Sequence, residues 1–216
     1  LHFDKNKKYP IVFFLHGAGE RGNDNEKQLV HGGAIFLADS IREKYPAIIV
    51  FPQCAANSFW ANVDFHFDTI TRKGVIFFKK DSEPTVAMKL AIALFKNVES
   101  TYRLDKNKLY IGGLSMGGMG TFEMVKRMPG TFAAAFAICG GADTSTAKQL
   151  TETAWWIFHG LKDNVVDPIF SQNMATALKE NGAEVRLTLK PEDGHDSWDD
   201  AFKEPEFFSW LFAHHK

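Results

Sequence analysis

The stretch GGLSMGGMG, residues 112–120, follows directly on the apolar run KLYI and constrains the fold more than any other part of the chain. It places Ser115 among five glycines. Gly113, Ser115 and Gly117 fit the pattern G-x-S-x-G, which carries meaning when a strand precedes it and a helix follows. In such a turn the serine takes a strained backbone conformation. The residues two before and two after it must then lack a Cβ, so that strand and helix can approach closely.

The flanking segments supply that context. Apolar, β-branched and aromatic runs at 11–17, 47–53, 108–114, 132–139, 154–160 and 184–190 read as strands, mostly apolar without interruption, as strands covered on both faces are. Helical spacing is clearest at 83–102, with Pro84 in the first turn, and further helices are expected at 117–128, 168–181 and 205–214. The alternation predicts a single α/β domain over 1–216, with a mostly parallel central sheet and helices on both faces. LHFDKNKKYP, at the start, reads as the end of a strand and a turn. Residues 54–82 fit neither period and read as an irregular segment that shapes a pocket.

Charge and length exclude some functions. A net charge of −1 leaves no surplus for binding nucleic acid or an anionic membrane. No apolar run reaches the roughly 18 residues of a spanning helix, and no signal peptide opens the chain, which is expected to be soluble. Leu1 in place of Met implies that upstream residues have been trimmed, which leaves an extracytoplasmic location open. Cys54 and Cys139 show no metal-binding spacing. They read as an inert thiol and a small buried hydrophobe, with a bridge between them left open.

A serine hydroxyl needs a base to take its proton and a third group to orient that base, and in this fold the order is Ser, acid, His. The loop after the strand at 154–160 offers Asp163 and Asp167. Asp167 precedes Pro168 at a helix start, where it serves as a cap, so Asp163 is the expected orienter. The loop after the last strand contains His195, the expected base; Asp196 reads as a cap for a short helix from Ser197. His16 and His159 sit at strand ends before glycine and fit the role less well. The oxyanion donors expected from the template are the backbone amides of Met116, after the serine, and Ala18, in the glycine-rich loop HGAGERG. That loop also spells G-x-G-x-x-G, but the polar GNDNEKQ follows it where a dinucleotide site needs a helix.

On LHGAGERG, PQC with Trp60, GGLSMGGMGTFEM, HGLKDNVV and GHDSW, the chain resembles the α/β-hydrolase superfamily. Within it, the resemblance is to compact feruloyl and acetylxylan esterases, polyhydroxybutyrate depolymerase-like proteins and prolyl-oligopeptidase-type peptidases. It implies two-step acyl transfer by Ser115, His195 and Asp163 on a small-molecule or carbohydrate-linked ester, with no metal or organic cofactor. Short acyl or aryl esters on plant polysaccharides are the first expectation and short peptides the alternative. Trp198 and Trp60 are expected at the substrate, with Phe65, Phe67, Phe77 and Phe78 as further lining or a small satellite core. Glu192, Asp193, Asp196, Asp199 and Asp200 read as a solvated acidic face rather than a calcium site. No pattern encodes an oligomeric state.

Overall fold

The computed structural model describes residues 3–70, 73–79 and 82–216. Leu1 and His2, read above as part of a strand end, lie outside that range, as do residues 71, 72, 80 and 81 of the segment 54–82. In chain order the elements are β1 (Tyr9–Leu15), α1 (Gly33–Leu37), α2 (Asp39–Lys44), β2 (Ile48–Val50), β3 (Val63–Asp68), β4 (Lys73–Phe78), α3 (Val86–Thr101), β5 (Leu104–Leu114), α4 (Met116–Arg127), β6 (Ala134–Ile138), β7 (Ala154–Gly160), α5 (Ile169–Glu180), β8 (Val185–Lys190), α6 (Trp198–Ala201) and α7 (Phe207–Ala213).

Among these, six strands form one sheet in the order β2-β1-β5-β6-β7-β8, and every neighbouring pair is parallel. The uninterrupted apolar runs have a direct cause, since both faces of the sheet are covered. Along β1, Ile11, Phe13 and Leu15 join one core with residues of α3, α4 and α5, while Val12 and Phe14 join a second with residues of α1 and α7. Successive side chains of a strand alternate between faces, so one hydrophobic run supplies two layers. Because the strands are parallel, their carboxyl ends share one rim, and the loops after β1, β5, β7 and β8 meet there.

Boundaries shift where local chemistry decides them. The expected strand 47–53 shortens to Ile48–Val50, an edge strand that stops before Pro52. Pro84 is not in the first turn of α3, because Thr85 is the cap and accepts the Met88 N–H at 3.0 Å. The segment 54–82 is not irregular throughout: β3 and β4 pair as an antiparallel hairpin, with Phe65 opposite Ile76 and Phe67 opposite Gly74. The hairpin docks on the loop after β7, where the Gly74 N–H donates to Asn164 O at 3.1 Å. A Cβ on Gly74 would lie 1.8 Å from Val165 O, so only glycine allows this approach. Cys54 and Cys139 are both free and buried, which removes the bridge.

Candidate active site

Ser115 sits between β5 and α4 with φ 53° and ψ −117°, a positive φ that non-glycine residues rarely adopt. Its N–H is tied to Ile138 O at 2.8 Å and its carbonyl to the Met119 N–H at 3.0 Å. The turn is tight enough to explain the glycines. A Cβ on Gly113 would lie 2.4 Å from Gly117 O, and one on Gly117 would lie 1.9 Å from Leu15 O. Any side chain at either position would push α4 away from β1 and β5.

At the rim, Ser115 Oγ lies 2.8 Å from His195 Nε2, and His195 Nδ1 lies 2.7 Å from Asp163 Oδ2. These residues are 80 and 32 positions apart in the chain, and parallel strand ends bring them together. Asp163 Oδ1 accepts the N–H groups of Val165 at 2.8 Å and Val166 at 3.0 Å, which closes the loop around the carboxylate. Burial alone would raise the pKa of this carboxyl. Hydrogen bonds from His159 and His195 outweigh that effect and hold it well below the usual carboxylate range. Asp163 is thus ionised and oriented beneath His195. Asp167 Oδ1 instead accepts the Ile169 N–H at 3.0 Å, the capping role expected of it. Asp196 contributes to α6 through its backbone, its carbonyl accepting the Asp199 N–H at 3.2 Å.

The loop after β1 turns through a short 3₁₀ segment at Ala18–Glu20. Behind it, the buried His16 bridges two backbone groups: Nδ1 donates to Gly17 O at 2.6 Å and Nε2 accepts the Cys54 N–H at 2.9 Å. Burial lowers the pKa of His16 and favours this neutral form. In a trans peptide the C=O and N–H point in opposite directions, so holding Gly17 O against His16 turns the Ala18 N–H away from it. Arg21 Nε braces the same loop by donating to Ala18 O at 2.9 Å. Met116 is the first residue of α4, so its N–H has no acceptor within the helix.

A cavity of about 410 Å³ opens beside Ser115 and His195, walled by Ala18, Phe65, Met119, Val166 and Trp198 among others. Trp198 packs edge-on against His195, with ring centroids 5.6 Å apart. Phe65 reaches the cavity from the hairpin. Trp60, expected at the substrate, does not line this cavity: it is 1% exposed, and its indole N–H donates to His16 O at 3.0 Å. Its size suits the space behind the loop after β1, where an indole also finds an acceptor. Phe67 and Phe77 face solvent, and Phe78 packs against Phe170 with ring centroids 5.4 Å apart. Sequence reasoning missed Phe59 and Arg21 on the cavity wall, although Arg21 lies within HGAGERG. It also passed over His159, which contacts Asp163; its position four residues before the acid was the available signal.

Among the described residues, one group brings metal-ligating atoms within 4.8 Å of one another: Cys139, Asp163 and His195. Asp163 and His195 are already engaged with each other, and burial keeps the Cys139 thiol protonated by pushing its pKa well above the usual value. These donors fit a hydrogen-bonded acid and base better than a metal shell. Lys162 pairs with Glu192, and Lys203 with Asp200 at 3.0 Å, so parts of the acidic face are neutralised by lysine.

Comparison with known proteins gives this site a family. Residues 3–208 match the family model described as Phospholipase/Carboxylesterase. No curated protein matches significantly. Among solved structures, a thermostable esterase shares 32% identity and a TM-score of 0.87; the match covers 99% of this chain and 57% of that one. The chain therefore spans little more than half the length of that relative. SOBER1 of Arabidopsis thaliana aligns at 20% identity with a TM-score of 0.65, over 94% of this chain and 97% of that one. A ferulic acid esterase of Anaeromyces mucronatus aligns at 17% with a TM-score of 0.66, over 97% and 79%. At such identities the last two speak for the fold alone. No described helix is long and apolar enough to cross a membrane. With the family model matched across nearly its whole length, the chain belongs to the phospholipase/carboxylesterase family of α/β-hydrolase fold.

Proposed function

We propose that the chain is a serine carboxylesterase that hydrolyses short-chain acyl or aryl esters, of the acetyl and feruloyl type borne by plant polysaccharides. The observation that carries this reading is the unbroken relay from Ser115 Oγ through His195 to Asp163, at 2.8 and 2.7 Å, opening onto a largely apolar cavity. Family membership and the likeness to a thermostable esterase support ester hydrolysis; the aromatic wall of Phe65 and Trp198 supports an aryl acid.

In this reading His195 Nε2 takes the hydroxyl proton as Ser115 Oγ bonds to the ester carbon. The carbonyl oxygen becomes an oxyanion between the amides of Ala18 and Met116, where the positive end of α4 adds to its stabilisation. His195 then gives the proton to the departing alkoxide, which leaves as the alcohol. Water repeats the sequence on the acyl-enzyme, releasing the acid and restoring Ser115. Asp163 stays ionised throughout and stabilises the imidazolium.

Wild type and Ser115→Ala should be compared on aryl acetate, aryl butyrate, methyl ferulate and a proline-containing peptide amide. Hydrolysis of at least one short ester by the wild type, abolished in the variant, is expected. Comparable turnover by both proteins overturns the mechanism, and peptide cleavage without ester cleavage overturns the substrate class.

A further inference from the structure

His159, the penultimate residue of β7, is fully buried, and the mechanism above gives it no role. Its Nε2 lies 3.1 Å from Asp163 Oδ2 and 2.9 Å from Val166 O. Both neighbours are acceptors, so Nε2 carries a proton in either ionisation state of the ring. On the other side, Nδ1 lies 2.7 Å from Ser171 Oγ on α5, which is also 2.9 Å from Gly140 O, so the single hydroxyl proton goes to Nδ1 of a neutral ring or, where Nδ1 itself carries a proton and donates to Oγ, to Gly140 O. The ring is held at both ends. The two carboxylate oxygens of Asp163 are therefore divided: Oδ1 serves its own loop, and Oδ2 receives two imidazoles, His195 and His159.

We propose that His159 is a positioning residue for the reaction: by donating to the Asp163 oxygen that also receives His195, it holds the carboxylate in line and moderates its pull on the base's proton. The inference rests on the reading of Asp163 and His195 given above. An oxygen that accepts a second hydrogen bond shares its negative charge between two donors, and the effect is large where water is excluded. Without the second donor, Oδ2 attracts the His195 proton more strongly and turns more freely. A purely structural His159, tying Val166 to its loop, would affect stability and leave the pH profile alone.

The titratable groups on the elements packed around this cluster are Cys139 from the end of β6, Asp163 from the loop after β7, and Asp193, His195 and Asp196 from the loop after β8. Beyond Trp198, His31 and Glu20 form a pair at 3.7 Å. A substitution at 159 leaves these groups in place; His159→Leu removes both the hydrogen bond and a titratable ring, and His159→Gln, which keeps an N–H without the ring, separates the two.

The test is the pH dependence of kcat/KM on an aryl acetate for wild type, His159→Leu and His159→Gln, with Ser115→Ala as reference. The acid limb reports the essential base of the free enzyme. His159→Leu should move it up by about one pH unit, the effect of roughly one hydrogen bond, with kcat falling more than KM changes. His159→Gln, which keeps an N–H near the position of Nε2, should return the limb toward wild type. A folded His159→Leu with an unmoved limb overturns the inference. Activity in Ser115→Ala overturns the underlying reading instead. If His159→Leu fails to fold, ¹⁵N-imidazole NMR of the unaltered protein decides: the His159 Nε2 resonance should shift with the midpoint of His195, and a flat response overturns the coupling.

Discussion

At Gly113 and Gly117 the backbone has no room for a methyl group, whereas on the β3–β4 hairpin Phe65, Phe67 and Phe77 stand 43%, 47% and 60% exposed. Both regions approach the same cavity. The first is built where strand ends, a helix N-terminus and three loops converge, and every contact there is short and oriented. The second is a two-stranded excursion that rests on the rim mainly through Gly74 and a small cluster around Ile76, Met119 and Val166. The contrast separates two tasks. Geometry that must be accurate to a fraction of an ångström is carried by the sheet, and part of the cavity wall, Val63 and Phe65, is carried by an appendage that can vary without disturbing it.

Four substitutions test that division. Asp163→Asn should have the largest effect, lowering kcat/KM by roughly 10⁴ with little change in KM, because the base loses its orienting charge. The same variant should change acid stability. The depressed pKa of Asp163 means that its stabilising effect is fully present above about pH 4, the unfolded value, and is lost as pH falls through the folded one. Wild type should therefore lose more stability than Asp163→Asn when denaturant midpoints are compared between neutral pH and acid. Gly117→Ala comes next: with Leu15 O in the path of the new methyl group, it should cost about 4 kcal/mol or more in denaturant unfolding. A mild effect would show that the serine turn is looser than its close contacts imply.

Phe65→Ala should raise KM for aryl esters roughly tenfold while kcat and the unfolding midpoint stay nearly constant, since a ring removed from the cavity wall forfeits contact area with the substrate. If kcat falls in proportion instead, the hairpin takes part in orienting the reacting groups and the separation of tasks breaks down. Phe77→Ser should do least, within about 0.5 kcal/mol and without kinetic consequence, because that ring faces water. A larger loss of stability would mean that the hairpin is bound more tightly than its exposure implies.

Legibility in the sequence follows the range of the interaction. Ser115, Gly113 and Gly117 were readable because the five residues that carry them spell one contiguous pattern, although the neighbours that exclude a Cβ include Leu15 O on β1 as well as Gly117 O. Asp163 could be separated from Asp167 because the cap before Pro168 is a local motif. The hairpin was not readable: β3 exposes Asp64, Phe65, His66 and Phe67 in succession, so no alternation marks one face as buried. Trp60 was misplaced for a related reason. An aromatic residue in a segment without period has no face assigned to it, and the fold directs this one to the back of His16.

Legible in the sequence by itself were the parallel α/β layering, the serine turn and the two residues, Asp163 and His195, that meet at the ends of β7 and β8, since the period of each segment marks where a strand stops and its loop begins. Tertiary structure alone decided which aromatics meet the cavity and that two imidazoles share one oxygen of Asp163. It also decided that Trp60 and Cys54 support the loop after β1 from behind. Those contacts join residues of different elements once the sheet has assembled, and no local pattern encodes the direction in which a side chain then points.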